Sequence, residues 1–160
     1  MKILITGSSG FIGYHLSKKL LDLGNTVHGY DSMNKYYLLK LKKDRLKILK
    51  KYKKFSFTKG KLENYKLLEK TILKFKPKII IHLAAQAGVR YSIKNPDVYI
   101  NSNIVGSFKL LEIVKKIKLD HLMIASSSSV YGANIKMPYS ENNKTDTQLS
   151  LYASTKKSVE

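Results

Sequence analysis

The chain has 160 residues, 43% hydrophobic, 10% aromatic and 26% charged, enough for one domain with a sizeable core and too apolar for a disordered one. It contains no cysteine, which excludes a disulfide framework and any thiolate metal site. Of its 30 basic residues, set against 11 acidic ones for a net charge of +19, only Arg45 and Arg90 are arginine. Nucleic acid is read largely through the bidentate guanidinium fork, so the charge predicts salt-sensitive adhesion to polyanions and no specific nucleic-acid partner.

No apolar run reaches the roughly 20 residues of a membrane span, and the N-terminus lacks the apolar stretch of a signal peptide. A soluble cytoplasmic protein with no membrane partner is expected. Residues 2–6 read as a buried strand, followed by a glycine-rich turn from Gly7 to Gly13. Phe11 to Leu23 carries apolar residues at helical spacing, closed by Gly24-Asn25. Thr26 to Tyr30 is a second strand stopped by Asp31-Ser32. Residues 35–54 hold nine lysines and one arginine against one acid, Asp44. Leucines at 38, 41, 46 and 49 there predict an amphipathic helix with a basic, solvated polar face. Phe55 to Thr58 is a third strand and Leu62 to Phe75 a third helix. After Pro77, Lys78 to His82 is a β-branched strand buried on both faces. Asn95-Pro96 opens a long helix to about Lys118, His121 to Ser126 is a fifth strand, and a serine-rich loop follows. A last helix begins near Leu151 and reaches the final residue without a stop signal.

Strands alternating with helices predict an α/β fold, a doubly wound parallel sheet of Rossmann type with strand order 3-2-1-4-5. The first strand–helix junction reads Thr6-Gly7-Ser8-Ser9-Gly10-Phe11-Ile12-Gly13. Three glycines at this spacing allow a tight turn, a close backbone approach to a pyrophosphate, and close packing of helix on strand. The N–H groups opening the helix, at Phe11 and Ile12, then face the phosphates. Asp31, ending the second strand, stands where a carboxylate bonds the ribose hydroxyls of NAD and repels the extra phosphate of NADP. NAD is therefore the expected cofactor.

Tyr152-Ala-Ser-Thr-Lys156 sets a phenol and an ammonium four residues apart on one helix face. An ammonium beside a phenol favours the phenolate, a usable base near neutral pH. The run Ser126 to Ser129 after strand five offers a hydroxyl to hold the substrate oxygen that such a base deprotonates. The histidines at 15, 28, 82 and 121 have no ligand spacing, so no metal is expected and they read as ordinary packing residues. Tyr131 reads as support for the serine loop.

With these motifs together, the chain resembles the N-terminal part of an extended short-chain dehydrogenase/reductase of the NAD-dependent epimerase/dehydratase family. Thr6–Gly13 matches that family's TGxxGxxG turn. The stretches Asp31-Ser-Met-Asn-Lys-Tyr-Tyr37, His82-Leu-Ala-Ala-Gln-Ala-Gly-Val-Arg-Tyr-Ser92 and Ser126-Ser-Ser-Ser-Val-Tyr-Gly132 are most similar to UDP-glucuronate 4-epimerases. The resemblance covers essentially the whole chain. It implies Tyr152 as base, Lys156 as holder of the nicotinamide ribose and Ser127 as the catalytic hydroxyl. It also implies cofactor contacts from Gly7, Gly10, Phe11, Ile12, Gly13, Asp31, Leu83, Ala84, Ala85 and Asn103, and substrate contacts from Ser127, Ser128, Arg90 and Tyr152. The implied reaction oxidises C4 of a nucleotide sugar (a UDP-sugar) to a 4-keto intermediate and re-reduces it on the opposite face.

Two departures stand out. Where the family has Gly-Asp after strand three, with the acid on the adenine, this chain has Gly60-Lys61, which is expected to weaken the cofactor contact. A complete family enzyme is also about twice as long, with a C-terminal substrate domain, and is a homodimer through the two last helices here. The 160 residues are therefore expected to be an incomplete NAD-binding domain, inactive alone, poorly dimerising, with strand five an uncovered edge. Three alternatives remain open: a related dehydratase or decarboxylase, against which Ser128-Ser129 stand where dehydratases carry Asp-Glu; a non-catalytic NAD-binding fragment; and a basic nucleic-acid binder.

Overall fold

β-Branched runs alternate with helical segments throughout the computed structural model, which describes residues 1–160. In chain order the elements are β1 (Lys2–Thr6), α1 (Phe11–Asp22), β2 (Thr26–Asp31), α2 (Leu39–Leu49), β3 (Phe55–Lys59), α3 (Tyr65–Phe75) and β4 (Ile79–His82). Then come α4 (Val89–Lys94), α5 (Pro96–Tyr99), a π-helical turn (Ile100–Val105), α6 (Gly106–Val114), β5 (His121–Ile124), a 3-10 turn (Ser128–Tyr131) and α7 (Leu151–Lys157). The sheet is wholly parallel in the order β3-β2-β1-β4-β5, as expected from the alternation.

Side chains alternate across the pleat, so β1 feeds two cores. Leu4 joins Tyr30, Ile80, Leu68 and Leu110 beneath α3 and α6. Ile3 and Ile5 join Val27, Ile81, Leu21 and Leu49 beneath α1 and α2. The strand order reverses direction at β1, between β2 and β4. The C-terminal ends of these strands (Thr6, Asp31 and His82) therefore open a crevice where α/β sheets bind ligands.

The helices differ instructively from their sequence reading. The apolar residues that mark α1 by spacing divide: Leu16 and Leu20 pack against the core, whereas Phe11, Ile12 and Leu23 are exposed, and Gly13, Ser17 and Leu21 are buried. The first turns of the helix lie close to the glycine turn and the sheet, where Gly13 and Ser17 are buried, and Ser17 Oγ donates to the Gly13 carbonyl at 2.6 Å. The basic segment is helical over Leu39–Leu49 rather than 35–54, and Leu38 and Leu41 are exposed. α3 begins at Tyr65, not Leu62, because Asn64 caps it by accepting the Leu67 N–H. Leu62 is buried in the preceding turn.

The long helix is real but is interrupted by the π-helical turn and ends at Val114, not Lys118. α4 and the 3-10 turn replace what reads as loop. β5 stops at Ile124 and pairs on one side only, leaving Met123 half exposed. α7 is capped by Ser150, whose Oγ accepts from the Ala153 N–H, and ends at Lys157, short of the final residue. No helix is long and apolar enough to cross a membrane.

Candidate functional site

At the end of β1 the backbone turns through Gly7 at φ +72°, a conformation that side chains disfavour. A Cβ there would lie 2.9 Å from the Ala84 nitrogen. At Gly13 a Cβ would be driven into the Gly7 carbonyl oxygen. These two glycines set how closely turn, helix and sheet approach. Gly10 differs, since a Cβ there meets only the Gly7 oxygen, at 3.1 Å, and otherwise open space. No side chain caps α1, and the N–H groups of Phe11, Ile12 and Gly13 have no partner in the chain. Free donors at the positive end of a helix dipole make an anion site.

Asp31 is 5% exposed and fixes the turn from the neighbouring strand. Its Oδ2 accepts from the Ser9 N–H at 3.0 Å and its Oδ1 from the Met33 N–H at 2.8 Å. A carboxylate has about four acceptor sites, so oxygen lone pairs remain for a ligand. The hydroxyls of Ser8 and Ser9 are buried without partners; that of Ser8 lies over Gly29. A groove of about 340 Å³ runs from this turn, lined by Gly7, Gly10, Asp31, Leu83, Ala84 and Ala85 among others. Six of the expected cofactor residues thus meet in one cavity. Phe11 and Ile12 stand exposed at the mouth of α1, and Gly13 lies beneath the turn.

The groove wall after β4 is held by a buried relay. Thr6 Oγ1 accepts from the Ala84 N–H at 3.1 Å and lies 2.7 Å from His82 Nδ1, while His82 Nε2 lies 3.0 Å from Ser107 Oγ. Burial, and secondarily the nearby Lys156, lowers the His82 pKa to about 4. Burial disfavours the charged ring, whose two nitrogens face the Thr6 and Ser107 hydroxyls. His82 is therefore more than a packing residue: it orients the hydroxyl that holds Ala84.

Tyr152, Lys156 and Ser127 do not line that groove; they cluster beyond it, at the end of β5. Lys156 is 7% exposed and its Nζ donates to the Ala125 carbonyl, the residue that follows β5 by one. Burial lowers its pKa, opposed by Glu160. Tyr152 stands one turn earlier, its ring edge-on to that of buried Tyr99 with centroids 6.0 Å apart. Ser127 opens the 3-10 turn, and its Oγ accepts from the Ser129 N–H at 3.2 Å, leaving its own proton free to donate. Ser128 is exposed on the same turn. Arg90 is exposed on α4, in a separate shallow hollow shared with Tyr36, Tyr91 and Lys94.

Asn103, expected at the cofactor, does not line the groove. Its amide is spent within the protein, accepting from the Gln86 N–H and donating to the Gln86 carbonyl and Thr155 Oγ1. The structure also adds residues that the motifs do not mark. Lys42, read as part of a solvated face, is 5% exposed, lines the groove and donates to Asn34 Oδ1 at 2.7 Å. Burial lowers its pKa and nearby Asp31 raises it. Tyr99 donates to the carbonyls of Ala87 and Gly88 at 2.7 and 2.5 Å. One lysine among nine in residues 35–54 carries no sequence signal that it alone turns inward. Lys61 is exposed, and its carbonyl accepts from the Tyr30 hydroxyl at 2.9 Å.

Comparison with known proteins agrees with this geometry. Residues 4–160 match the family model described as GDP-mannose 4,6 dehydratase. The chain is 55% identical over 160 residues to protein CapI of Staphylococcus aureus, covering all of this chain and 48% of that one. It is 48% identical to a probable UDP-glucuronate 4-epimerase of Rhizobium meliloti, covering 47% of that protein. A UDP-glucuronic acid 4-epimerase from Bacillus cereus, solved in complex with UDP-glucuronic acid and NAD, superimposes with a TM-score of 0.91 at 37% identity. That match covers 99% of this chain and 50% of the other. The chain thus spans about half the length of the relatives it matches. With a glycine turn, a strand-end aspartate and a Tyr-x-x-x-Lys helix on a sheet of this order, the chain belongs to the GDP-mannose 4,6-dehydratase family, within the NAD-dependent nucleotide-sugar epimerases and dehydratases.

Proposed function

We propose that this chain is the NAD-binding and proton-transferring portion of a nucleotide-sugar 4-epimerase acting on UDP-glucuronate. The observation that carries the reading is a groove that opens at the unpartnered N–H groups of α1 and is lined by Asp31, with Tyr152 and Lys156 outside it on α7, where Lys156 reaches the end of β5. The residues present fit the cofactor. Gly10 leaves open space where a pyrophosphate meets the helix N-terminus, and Asp31 retains acceptor capacity for ribose hydroxyls.

When bound, NAD supplies a hydride acceptor and donor for sugar C4. The chain supplies the proton chemistry. Tyr152 takes the proton of the 4-hydroxyl and later returns it, and Lys156 stands one turn along the same helix. Ser127, whose oxygen already accepts from Ser129, donates its free proton to the same sugar oxygen. Ser128 and Ser129 beside it carry no acid to expel a hydroxyl, which favours epimerisation over dehydration. Ser128 and Arg90 are the residues offered to the sugar carboxylate, and Phe11 and Ile12 offer their N–H groups to the pyrophosphate. The full protein pairs as a homodimer, an arrangement supported by the exposed apolar Ile100 and Phe108 on the helical run before β5.

Calorimetric titration with NAD tests the reading, with Gly10→Ala and Asp31→Ala beside the unmodified chain. Saturable binding that weakens about tenfold or more in each variant is expected, a loss of about 1.4 kcal/mol or more. A folded, monodisperse chain that binds no NAD overturns it.

A further inference from the structure

Every strand of the sheet is parallel, so all five begin at the end opposite the crevice. The helices return the chain to that end, and four connections gather there: 23–25, 50–54, 76–78 and 115–120. Hydrogen bonds join them side by side. Lys54 Nζ donates to the Gly24 carbonyl at 3.0 Å, the Lys78 N–H to the Lys2 carbonyl at 2.8 Å, and the Asp120 N–H to the Lys78 carbonyl at 2.9 Å.

These connections, with Lys2, hold ten lysines against one acid, Asp120, and every one of the ten is exposed. Lys78, Lys115 and Lys116 have carboxylate partners at 3.7, 2.7 and 3.8 Å; the other seven have none. The four turns that leave β1–β4 at the crevice end carry only Lys35 and Lys61. Lysine is plentiful along the whole chain, yet the fold sorts it to one end. Helix dipoles favour cations at this end, but that effect falls off within the last turn, and Lys53, Lys54, Lys78 and Lys118 stand beyond it. Two apolar side chains accompany the lysines. Leu23, which ends α1, is 65% exposed, and Leu73, in the last turn of α3, is 50% exposed. α1 and α3 pack on opposite faces of the sheet, so the two leucines flank the strand starts.

We propose that this end of the sheet docks on an anionic membrane surface, the lysines against lipid phosphates and carboxylates and the leucines at the headgroup boundary. The inference goes beyond the dinucleotide site and does not depend on it. No helix is long and apolar enough to cross a membrane, so the contact is peripheral. The chemistry of the face favours lipid over nucleic acid. Both arginines lie elsewhere, Arg45 within α2 and Arg90 on α4, so no bidentate fork reads a phosphate or a base here. Tyr52 and Phe75 at this end are half-buried, which leaves no exposed ring there for base stacking. Ammonium groups suit a diffuse anionic surface, and exposed leucines among them suit the acyl boundary. The crevice lies at the opposite end of the sheet and stays open to its ligands.

Vesicle co-sedimentation at about 0.15 M salt tests this, with phosphatidylcholine alone and with about one-third phosphatidylserine. The chain is expected to bind the phosphatidylserine vesicles about tenfold tighter than the neutral ones, or better. The combined variant Lys50→Gln, Lys51→Gln, Lys53→Gln and Lys118→Gln, at side chains without partners, is expected to lose about tenfold or more. A control removes the same charge elsewhere, by Lys40→Gln, Lys66→Gln, Lys136→Gln and Lys144→Gln, and is expected to lose about threefold or less. Leu23→Ser is expected to weaken vesicle binding about threefold and to leave binding to duplex DNA unchanged. Circular dichroism confirms that each variant is folded. Equal losses in the two lysine variants overturn the proposal, because net charge and not this face then governs binding. Equal binding to both vesicle compositions overturns it too, as does tighter binding to duplex DNA than to the anionic vesicles. A Leu23→Ser chain that binds vesicles like the unmodified one overturns the placement of this end at the headgroup boundary.

Discussion

Asn103 and Thr155 are joined by a buried hydrogen bond of 3.0 Å, the Asn103 amide donating to the Thr155 hydroxyl between Tyr152 and Lys156. The same amide brackets the Gln86 peptide, accepting from its N–H at 2.7 Å and donating to its carbonyl at 3.0 Å. One side chain, set on the π-helical turn, thus ties the groove wall after β4 to the helix that carries the proposed base. π-Helical turns occur frequently at functional sites, and here the turn carries an amide that joins the groove wall to α7.

Asn103→Ala is expected to destabilise the chain by about 2–5 kcal/mol, because it strands the buried Gln86 peptide and removes three hydrogen bonds. Urea denaturation compares the variant with the unmodified chain. Asn103→Ala should also weaken NAD binding, although the residue does not line the groove.

The glycines of the turn divide by what a methyl group would strike. Gly13→Ala drives a Cβ into the Gly7 carbonyl, so a loss of about 3 kcal/mol or more, or failure to fold, is expected in thermal melts. Gly10→Ala meets one atom at 3.1 Å, so stability changes by about 1 kcal/mol or less while NAD binding falls. Gly24→Ala has no neighbour within 4 Å but sits at φ +81°, so its loss is the backbone strain alone, about 1 kcal/mol.

Asp31→Ser is expected to lower affinity for NAD and raise it for NADP. The carboxylate that repels a 2′-phosphate is removed, while the buried Lys42 ammonium beside it remains to attract one. A shift in the NAD-to-NADP affinity ratio of about tenfold or more, read by titration with each, is expected. Restoring the NAD preference by adding Lys42→Ala would identify Lys42 as the attracting group.

Two histidines set the acid limit. Burial lowers the pKa of both His28 and His82 from 6.5 to about 4, with Lys74 and Lys156 as lesser causes. Because the folded chain holds both neutral, the unfolded chain binds more protons between these values. Stability is complete above about pH 6.5 and declines as the pH falls toward 4, by on the order of 3 kcal/mol for each histidine. Urea midpoints at about pH 7.5 and pH 5 should show the decline, and His28→Gln should make the pH dependence shallower.

The strand–helix alternation and the placement of the glycine turn and Asp31 were legible in the sequence because each depends on local patterning, whereas the strand order was expected from the fold class that the alternation indicates. Periodicity of two or 3.6, a glycine at a strand end and an acid at the next strand end are all short-range signals. Tyr152, Lys156 and the serine run were legible for the same reason, being spaced within one helix and one loop.

What the tertiary structure alone decided are matters of direction and of pairing between distant segments. Which of nine lysines in residues 35–54 turns inward depends on Asn34 and Asp31 across the groove, so no local pattern marks Lys42. That α1 buries Gly13 and Ser17 while exposing Phe11 and Ile12 follows from how closely the helix seats on the sheet. His82 becomes a structural link only when Thr6 and Ser107, 76 and 25 residues away, close around it. Asn103 likewise acquires its role from Thr155, 52 residues on. The sequence by itself determined the elements and the chemical groups that this fold would present. The fold decided which of those groups met, because burial and hydrogen bonding depend on distances in space that spacing along the chain does not encode.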